Sequence, residues 1–261
     1  MAVFTDVLVE PVTSADDFPQ IYHCISEAFG RQIKDTIWMA MNPHWDSPEG
    51  QQKGAAGLLK RWQSGITTNK DGQPNTAILK ATLRDPQDGF RLKIVGAAIW
   101  SQASFVRGYG DPPTNNPAAA IEEQIACLTE RRFATQMYAS LWKRRVEVAR
   151  EKADRYRKVE SDNEGTRTTP PPAIFALDTC AVDPAFQRRG VAGKLVAWGL
   201  EEAQRRGGLE CTTEASPMGR VVYKRLGFRA EKGAEEDLVY EVDEEFEGRD
   251  KPEIVFMRTR A

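Results

Sequence analysis

Several signals that would assign a protein to a common class are missing from this sequence. Its 36 basic and 38 acidic residues leave a formal net charge of −2, so no overall field would gather nucleic acid or an anionic membrane. No apolar run approaches the roughly 18 residues that span a bilayer, and residues 1–6 do not have the basic start of a secretory leader. These absences predict a soluble, cytoplasmic protein with no nucleic-acid or membrane partner.

Histidine and cysteine are also sparse. The two histidines, His23 and His44, are too few for a typical zinc cluster. The four cysteines are widely separated, which favours buried, reduced thiols over a disulfide framework. The sequence therefore predicts no metal site.

The 261 residues are enough to bury a sizeable core, and 41% of them are apolar. We interpret residues 1–261 as one domain with a mixed α/β fold. Its first part contains a strand at 7–11, a helix capped by Ser14, a helix at 49–63 and a hairpin of strands at 75–83 and 92–101 around a turn at 85–89.

Residues 102–172 form a helical insertion with a flexible connector. A helical region is predicted over 117–160, with Ile121, Ile125 and Leu128 at helical spacing. From Lys143 onward the region is densely charged, which indicates a solvated face. Residues 161–172 include three consecutive prolines and predict an exposed connector.

The chemistry is concentrated in one strand, loop and helix. Residues 173–182 are strand-like, residues 187–193 are rich in small side chains, and a helix is predicted over 191–206. In this arrangement the loop amides and the helix N-terminus converge on a point that suits a phosphate or diphosphate. A P-loop would have Gly where Arg188 stands, and residues 190–193 do not follow G-x-G-x-x-G, so two other nucleotide motifs do not fit.

Two motifs carry a family resemblance. The first is Q/R-x-x-G-x-G/A, here Gln187-Arg188-Arg189-Gly190-Val191-Ala192, and the second is Tyr-x-x-x-Gly-Phe, which spans residues 223–228. In this order and spacing they resemble the GNAT N-acetyltransferases, and the long insertion is similar to a group of fungal members. The resemblance implies a central, mostly antiparallel sheet whose parallel middle strands splay, helices on both faces, and acetyl-CoA as cosubstrate. C-terminal strands are expected near residues 238–242 and 253–257.

The same resemblance assigns residues to the cofactor. Backbone amides of the loop would bind the diphosphate of CoA, and the edge of the preceding strand would pair with its pantetheine arm. The residues so assigned are Cys180, Ala181, Val182, Gln187, Arg188, Arg189, Gly190, Val191, Ala192, Gly193, Ser216, Gly219 and Tyr223.

Two residues are the predicted catalytic groups. Tyr223 matches the family tyrosine that reaches the CoA sulfur, and a phenol of pKa about 10 can donate a proton at neutral pH. Asp178 is the candidate base, with Glu214 in reserve; an ordinary carboxylate is a weak base for an amine, so burial must raise its pKa or water must relay the proton.

The predicted reaction is direct acetyl transfer in a ternary complex to a small primary amine, by a monomer or homodimer. Trp38, Met41, His44 and Trp45 are candidates for the wall of the acceptor pocket, although core packing explains each equally well. A protein or peptide acetyltransferase, a noncatalytic acetyl-CoA-binding module and a preference for another acyl-CoA remain alternatives.

Overall fold

The computed structural model describes residues 7–64, 67–85, 89, 91–161, 170–231 and 236–260. Within them the strands are β1 (Leu8–Pro11), β2 (Thr76–Asp85), β3 (Arg91–Ala103), β4 (Ile174–Val182), β5 (Glu210–Ala215), β6 (Arg229–Ala230) and β7 (Val255–Arg258). The helices of six or more residues are α1 (Phe18–Ile25), continued by a π-helical stretch (Ser26–Ile33), α2 (Thr36–Met41), α3 (Pro48–Ser64), α4 (Ala118–Gln124), α5 (Leu128–Ser161), α6 (Val191–Arg205) and α7 (Pro217–Arg225).

The strands form one sheet in the order β1-β2-β3-β4-β5-β7-β6. Neighbouring strands are antiparallel throughout, except that β4 and β5 run parallel. The helix α6 connects these two strands, as a parallel pair requires a crossover. The predicted mixed, mostly antiparallel α/β fold is confirmed.

Helices cover both faces of the sheet because its strands are apolar on both sides. On the first face, Phe18 and Ile21 of α1 pack with Ile94 and Ile99 of β3. On the second face, α6 packs against Trp100, and a Cβ on Gly199 of α6 would lie only 2.0 Å from that indole ring. Glycine at position 199 therefore lets α6 approach the sheet closely.

The inserted segment between β3 and β4 differs from the single helical region predicted for it. α4 ends at Gln124, and the backbone of the next residue, Ile125, is extended (φ −114°, ψ 119°). Arg131 of α5 reaches back and donates to the Ile125 carbonyl at 2.5 Å, which satisfies an acceptor that the ended helix leaves free. α5 then packs Val148 and Ala149 on the first face of the sheet. Among the described helices, none is both long and apolar enough to cross a membrane.

Two other expectations need correction or fall outside the described residues. The segment 238–242 is not a strand; its Leu238 amide donates to the Ile254 carbonyl at 2.7 Å, but the strand beside β7 at the sheet edge is β6. Residues 86–88 of the predicted turn and residues 162–169 of the predicted connector lie outside the described residues.

Candidate active site

The two parallel strands pair over only part of their length. β4 pairs with β5 from Ile174 to Leu177, opposite Glu210 to Thr213. β4 continues to Val182 and β5 to Ala215, but these last residues of the two strands do not pair with each other. From residue 178 onward, the edge of β4 that faces β5 is therefore open, as the splayed arrangement predicted.

A β-bulge lies at the start of this open edge. Ile99 of β3 pairs with Thr179 and its neighbour Trp100 pairs with Leu177, so Asp178 is the extra residue on β4. The bulge changes which face the following side chains occupy, as bulges near functional sites often do. Asp178 consequently meets α3 and α5 on the first face, whereas Cys180 packs with the cluster on the second face.

The loop after β4 presents backbone amides to the cleft between the strands. Arg188 (φ 62°) and Gly190 (φ 80°) adopt left-handed conformations, and Gly190 caps α6. The Lys194 amide makes the bond to the Gly190 carbonyl at 3.1 Å, so the amides of residues 191–193 have no partner within the helix. A Cβ on Gly190 or Gly193 would meet no atom within 4 Å, and this open space fits a diphosphate.

Two predicted loop residues use their side chains elsewhere. The Gln187 amide group donates to the Val182 carbonyl at 3.1 Å and to Gln32 at 2.7 Å, which ties the loop to the π-helical stretch. The Arg189 guanidinium lies 5.2 Å from the centre of the Phe186 ring. For these two residues, contact with a diphosphate would come from the backbone.

The N-terminal turn of α7 holds Tyr223 in the same cleft. Ser216 caps the helix by accepting from the Gly219 amide at 3.3 Å. A Cβ on Gly219 would lie 2.6 Å from the Tyr223 ring, so glycine there leaves room for the phenol. The Tyr223 hydroxyl interacts with Cys180 and Thr213, and burial raises its pKa well above 10. The phenol is therefore a protonated donor at neutral pH.

A buried cluster of charged side chains lies where the two strands separate. Asp178 and Glu214 directly follow the last paired residues of β4 and β5, and both accept from Arg145 of α5. The Arg145 guanidinium lies 2.5 Å from Asp178 Oδ1 and makes two bonds to Glu214, one of them at 3.1 Å. Asp178 also accepts from Ser101 at 2.6 Å and from Arg61 at 3.1 Å.

These two carboxyl groups have pKa values that move in opposite directions. Burial favours the neutral form of Asp178, but Arg145, Arg61 and the Ser101 hydroxyl outweigh it and hold its pKa below the ordinary value. For Glu214, burial outweighs the attraction of Arg145, and its pKa is raised. Asp178 thus does not have the raised pKa that its predicted role as base needs without a water relay, whereas the reserve candidate Glu214 does.

Comparison with known proteins identifies a related family. Residues 146–230 match a family described as the acetyltransferase (GNAT) domain. The chain contains a GNAT acetyltransferase domain. A comparison with curated proteins finds no match.

Solved structures of N-acetyltransferases share the fold across nearly the full chain. An agmatine N-acetyltransferase variant is 12% identical with a TM-score of 0.54, and 97% of each chain is covered. The Drosophila melanogaster polyamine N-acetyltransferase is 14% identical with a TM-score of 0.51 and the same coverage. Arylalkylamine N-acetyltransferase 2 from Aedes aegypti is 16% identical with a TM-score of 0.50, covering 97% of this chain and 98% of that one. At these identities the likeness extends to the fold alone.

The GNAT match begins inside α5, at residue 146. It therefore includes the second half of a helix that the sequence analysis placed in an insertion outside the family core. The match then runs through β4, the diphosphate loop, α6, β5 and α7, and ends with β6. All the predicted cofactor and catalytic residues lie within it.

The cleft of the GNAT domain is large, with a volume of about 1560 Å³. A site for one small ligand has about 300–1,000 Å³, so this cleft has room for a cofactor and an acceptor together. Its lining includes Trp38 and Met41. His44 and Trp45 are not part of the lining, since Trp45 packs behind Trp38 with ring centres 5.8 Å apart.

Among the lining residues that the sequence analysis did not assign to the site, four lie on α5: Tyr138, Leu141, Trp142 and Arg145. The available signal was their spacing of three and four residues, which places them on one helix face. The charged stretch from Lys143 was interpreted as solvated, but Arg145 is buried and the Lys152 side chain is only 13% exposed. The expectation of a solvated face is wrong for these two residues.

Proposed function

We propose that this GNAT domain transfers an acetyl group from acetyl-CoA to the primary amine of a small molecule. One observation carries the proposal: an open strand edge, an uncovered helix N-terminus and a buried tyrosine hydroxyl share a single cleft. Each of the three features corresponds to one part of a thioester cofactor, namely its amide-containing arm, its diphosphate and its sulfur.

The residues for the cofactor are the backbone groups of residues 180–182 on β4 and of residues 188–193 in the loop and first turn of α6. The unpaired amides at the start of α6 and the positive end of its dipole favour an anion. Ser216 and Gly219 contribute by fixing the start of α7, which carries Tyr223. Bound acetyl-CoA would supply an acetyl carbon that an amine nitrogen can attack.

Tyr223 is the proposed proton donor to the leaving sulfur. Its raised pKa keeps the hydroxyl protonated, and the neighbouring Cys180 thiol has a pKa raised to about 12 by burial. A protonated thiol is a poor nucleophile, so Cys180 is not suited to carry the acetyl group. This favours direct attack by the amine, in which the new carbon–nitrogen bond forms as the carbon–sulfur bond breaks.

Glu214 is the proposed acceptor of the proton that the amine loses, directly or through water. Environments that push two carboxyl pKa values apart commonly separate their roles. Asp178, with the lowered pKa, holds Arg145 and Arg61 in place. The sequence interpretation of Asp178 as the base remains a rival, and the two carboxylates can be tested against each other.

The acceptor end of the cleft favours a small molecule over a peptide. α2 and α5 pack together there, with Ile37 of α2 in the same cluster as Leu141 of α5. Both helices contribute side chains to the lining of the cleft. A protein acetyltransferase would instead need an open groove with groups that bind an extended backbone.

The test is release of free thiol from acetyl-CoA with a panel of small amines and peptides, together with calorimetric measurement of acetyl-CoA binding. We expect turnover with small amines. Gly190→Ala should weaken acetyl-CoA binding, because alanine strains the left-handed backbone that aims the amides. Gly207→Ala is the matched control, since Gly207 (φ 91°) carries the same strain at the other end of α6. Equal loss of affinity in both variants, or binding without turnover of any acceptor, would refute the proposal.

A further inference from the structure

We infer that the exposed part of one face of α5 is the subsite for the acceptor's non-reacting part, and that it selects primary amines carrying an aromatic or similarly flat apolar group. The inference rests on the proposed function and names its substrate class. Tyr138, Leu141 and Trp142 line the cleft beside Arg145, at positions i, i+3, i+4 and i+7 of one helix face.

The position of this face relative to the reaction centre is fixed by Arg145. The guanidinium binds Asp178 and Glu214, which lie where β4 and β5 separate. Trp142 is held against the same group, with its ring centre 5.7 Å from the Arg145 guanidinium carbon. On its other side Trp142 contacts Tyr138, with ring centres 4.7 Å apart. One side of the acceptor end is therefore an ordered aromatic wall one helical turn from the carboxylates.

A second helix, α2, adds apolar side chains to this end of the cleft. Ile37 and Met41 of α2 belong to the clusters that include Tyr138, and Trp38 between them lines the cleft. Trp38 is itself supported by Phe29, with ring centres 6.4 Å apart. An acceptor bound at this end would thus meet large apolar side chains from both α2 and α5.

The charged groups at this end are already engaged by the protein. Arg145 and Arg61 balance Asp178 and Glu214. Two further carboxylates in the described lining also have partners: Asp35 accepts from the Trp38 amide at 2.9 Å, and Asp111 accepts from Thr67 at 2.6 Å and from Asn75 at 2.9 Å. A second charge on the acceptor would lose its water among groups that already have partners, whereas a flat apolar group gains burial without that cost.

The experiment compares four acceptors with the wild-type protein: 2-phenylethylamine, ethylamine, 1,4-diaminobutane and phenylalanine. We expect kcat/KM for 2-phenylethylamine to exceed that for 1,4-diaminobutane by about tenfold or more, as contacts with one hydrophobic group typically provide. Phenylalanine should be poor because its carboxylate adds a charge. A higher kcat/KM for 1,4-diaminobutane or phenylalanine would overturn the inference but leave the proposed function intact, while no transfer to any amine would remove the proposed function itself.

Variants locate the subsite. Trp142→Ala should lower the ratio of kcat/KM for 2-phenylethylamine to kcat/KM for ethylamine by about tenfold, because ethylamine lacks the aromatic group that the ring would contact. Trp142→Phe should recover much of the loss. Tyr156→Ala is the matched control, since Tyr156 lies on the same helix but contacts Tyr109 away from the cleft. The ratio of the two acceptors is independent of the folded fraction, and an unchanged ratio in Trp142→Ala would disprove the subsite.

Discussion

Asp178 and Glu214 bind the same guanidinium, yet the pKa of one is lowered and that of the other is raised. The difference follows from their other neighbours. Asp178 has a second guanidinium and a hydroxyl donor, whereas Arg145 and one backbone hydrogen bond do not offset the burial of Glu214. A group that stays ionised can anchor the cluster, and a group of raised pKa is better suited to accept a proton near neutral pH.

This difference separates the two carboxylates in experiment. Glu214→Gln should lower kcat by about 10²–10⁴, the usual contribution of a general base, and remove the acidic limb of the pH–rate profile that Glu214 contributes. Asp178→Asn should lower kcat less and shift that limb to lower pH, because the Asp178 charge helps to raise the pKa of Glu214. Steady-state kinetics from pH 5 to 9 would measure both effects.

The opposite pattern would contradict this assignment. If Asp178→Asn abolishes the acidic limb and Glu214→Gln only shifts it, Asp178 is the base that the sequence interpretation favoured. Circular dichroism of both variants is the control for folding, since either substitution changes the partners of buried Arg145.

Tyr223 gives a prediction about the leaving group. Tyr223→Phe removes the hydroxyl but keeps the ring that packs against Phe228, with ring centres 5.8 Å apart. We expect kcat, measured by thiol release, to fall by about 10²-fold or more. The affinity for acetyl-CoA, measured by calorimetry, should change little. Because the pKa of Tyr223 lies well above 10, wild type should show no alkaline limb from this group below that pH. An unchanged kcat in Tyr223→Phe would exclude the proposed role.

The helix α5 is fastened to β5 by buried ion pairs about two turns apart. Arg145 reaches Glu214, and Lys152, seven residues later, reaches Glu210 at 2.6 Å. Between them, Val148 and Ala149 pack on the sheet. The position of α5 is therefore coupled to that of Glu214, and the proposed active site depends on this helix.

Removing one of these ion pairs should be costly. Arg145→Met keeps the length of the side chain but leaves two buried carboxylates without their shared cation, and we expect a loss of about 3–5 kcal/mol in the free energy of unfolding. Arg157→Met on the same helix removes an exposed pair with Asp154 and an exposed hydrogen bond to the Phe105 carbonyl, and should cost less than about 1 kcal/mol. Urea unfolding curves would measure both, and similar losses in the two variants would argue against a special role for Arg145.

The sequence predicted the elements around the loop well because their signals are local. A strand was expected at 173–182 and a helix at 191–206, and the structure has Ile174–Val182 and Val191–Arg205. Alternating apolar residues, a turn and a helix start are all contained within a few residues. The two motifs likewise located the cleft, since they lie at its loop and its tyrosine.

The parts that failed depend on distant partners. Arg145 lies 33 residues from Asp178 and 69 from Glu214, so a charged helix gave no sign that one of its residues is buried. The bulge at Asp178 is set by pairing with β3 and has no local signature. For the same reason the acceptor wall on α5 was missed, although the spacing of its residues was visible.

Charge is distributed through the molecule so that several buried carboxylates depend on nearby cations. Glu210 is almost fully buried; burial alone would raise its pKa, but Arg258 and Lys152 outweigh it and the pKa is lowered. Arg144 similarly lowers the pKa of Glu231, and Arg145 and Arg61 lower the pKa of Asp178. These pairs join α5, β5, β7 and the residues after β6.

Acid should therefore unfold this protein through its buried carboxylates. A carboxyl group with a lowered folded pKa stabilises the fold fully above its unfolded pKa of about 4–4.5, and that stability is lost as the pH falls through the folded pKa. Glu214 acts in the other direction, since its raised pKa makes ionisation unfavourable in the fold. The free energy of unfolding should therefore be level or slightly higher just above pH 5 than at neutral pH. It should then fall steeply below about pH 4. Urea unfolding at fixed pH values from 3 to 8 would measure this. In Glu210→Gln, the loss of unfolding free energy at acid pH should be smaller than in the wild type. Because buried pairs are screened little by salt, the profile should persist in 0.5 M NaCl (about 5 Å Debye length), and a profile that flattens in salt would instead indicate exposed charges as the cause.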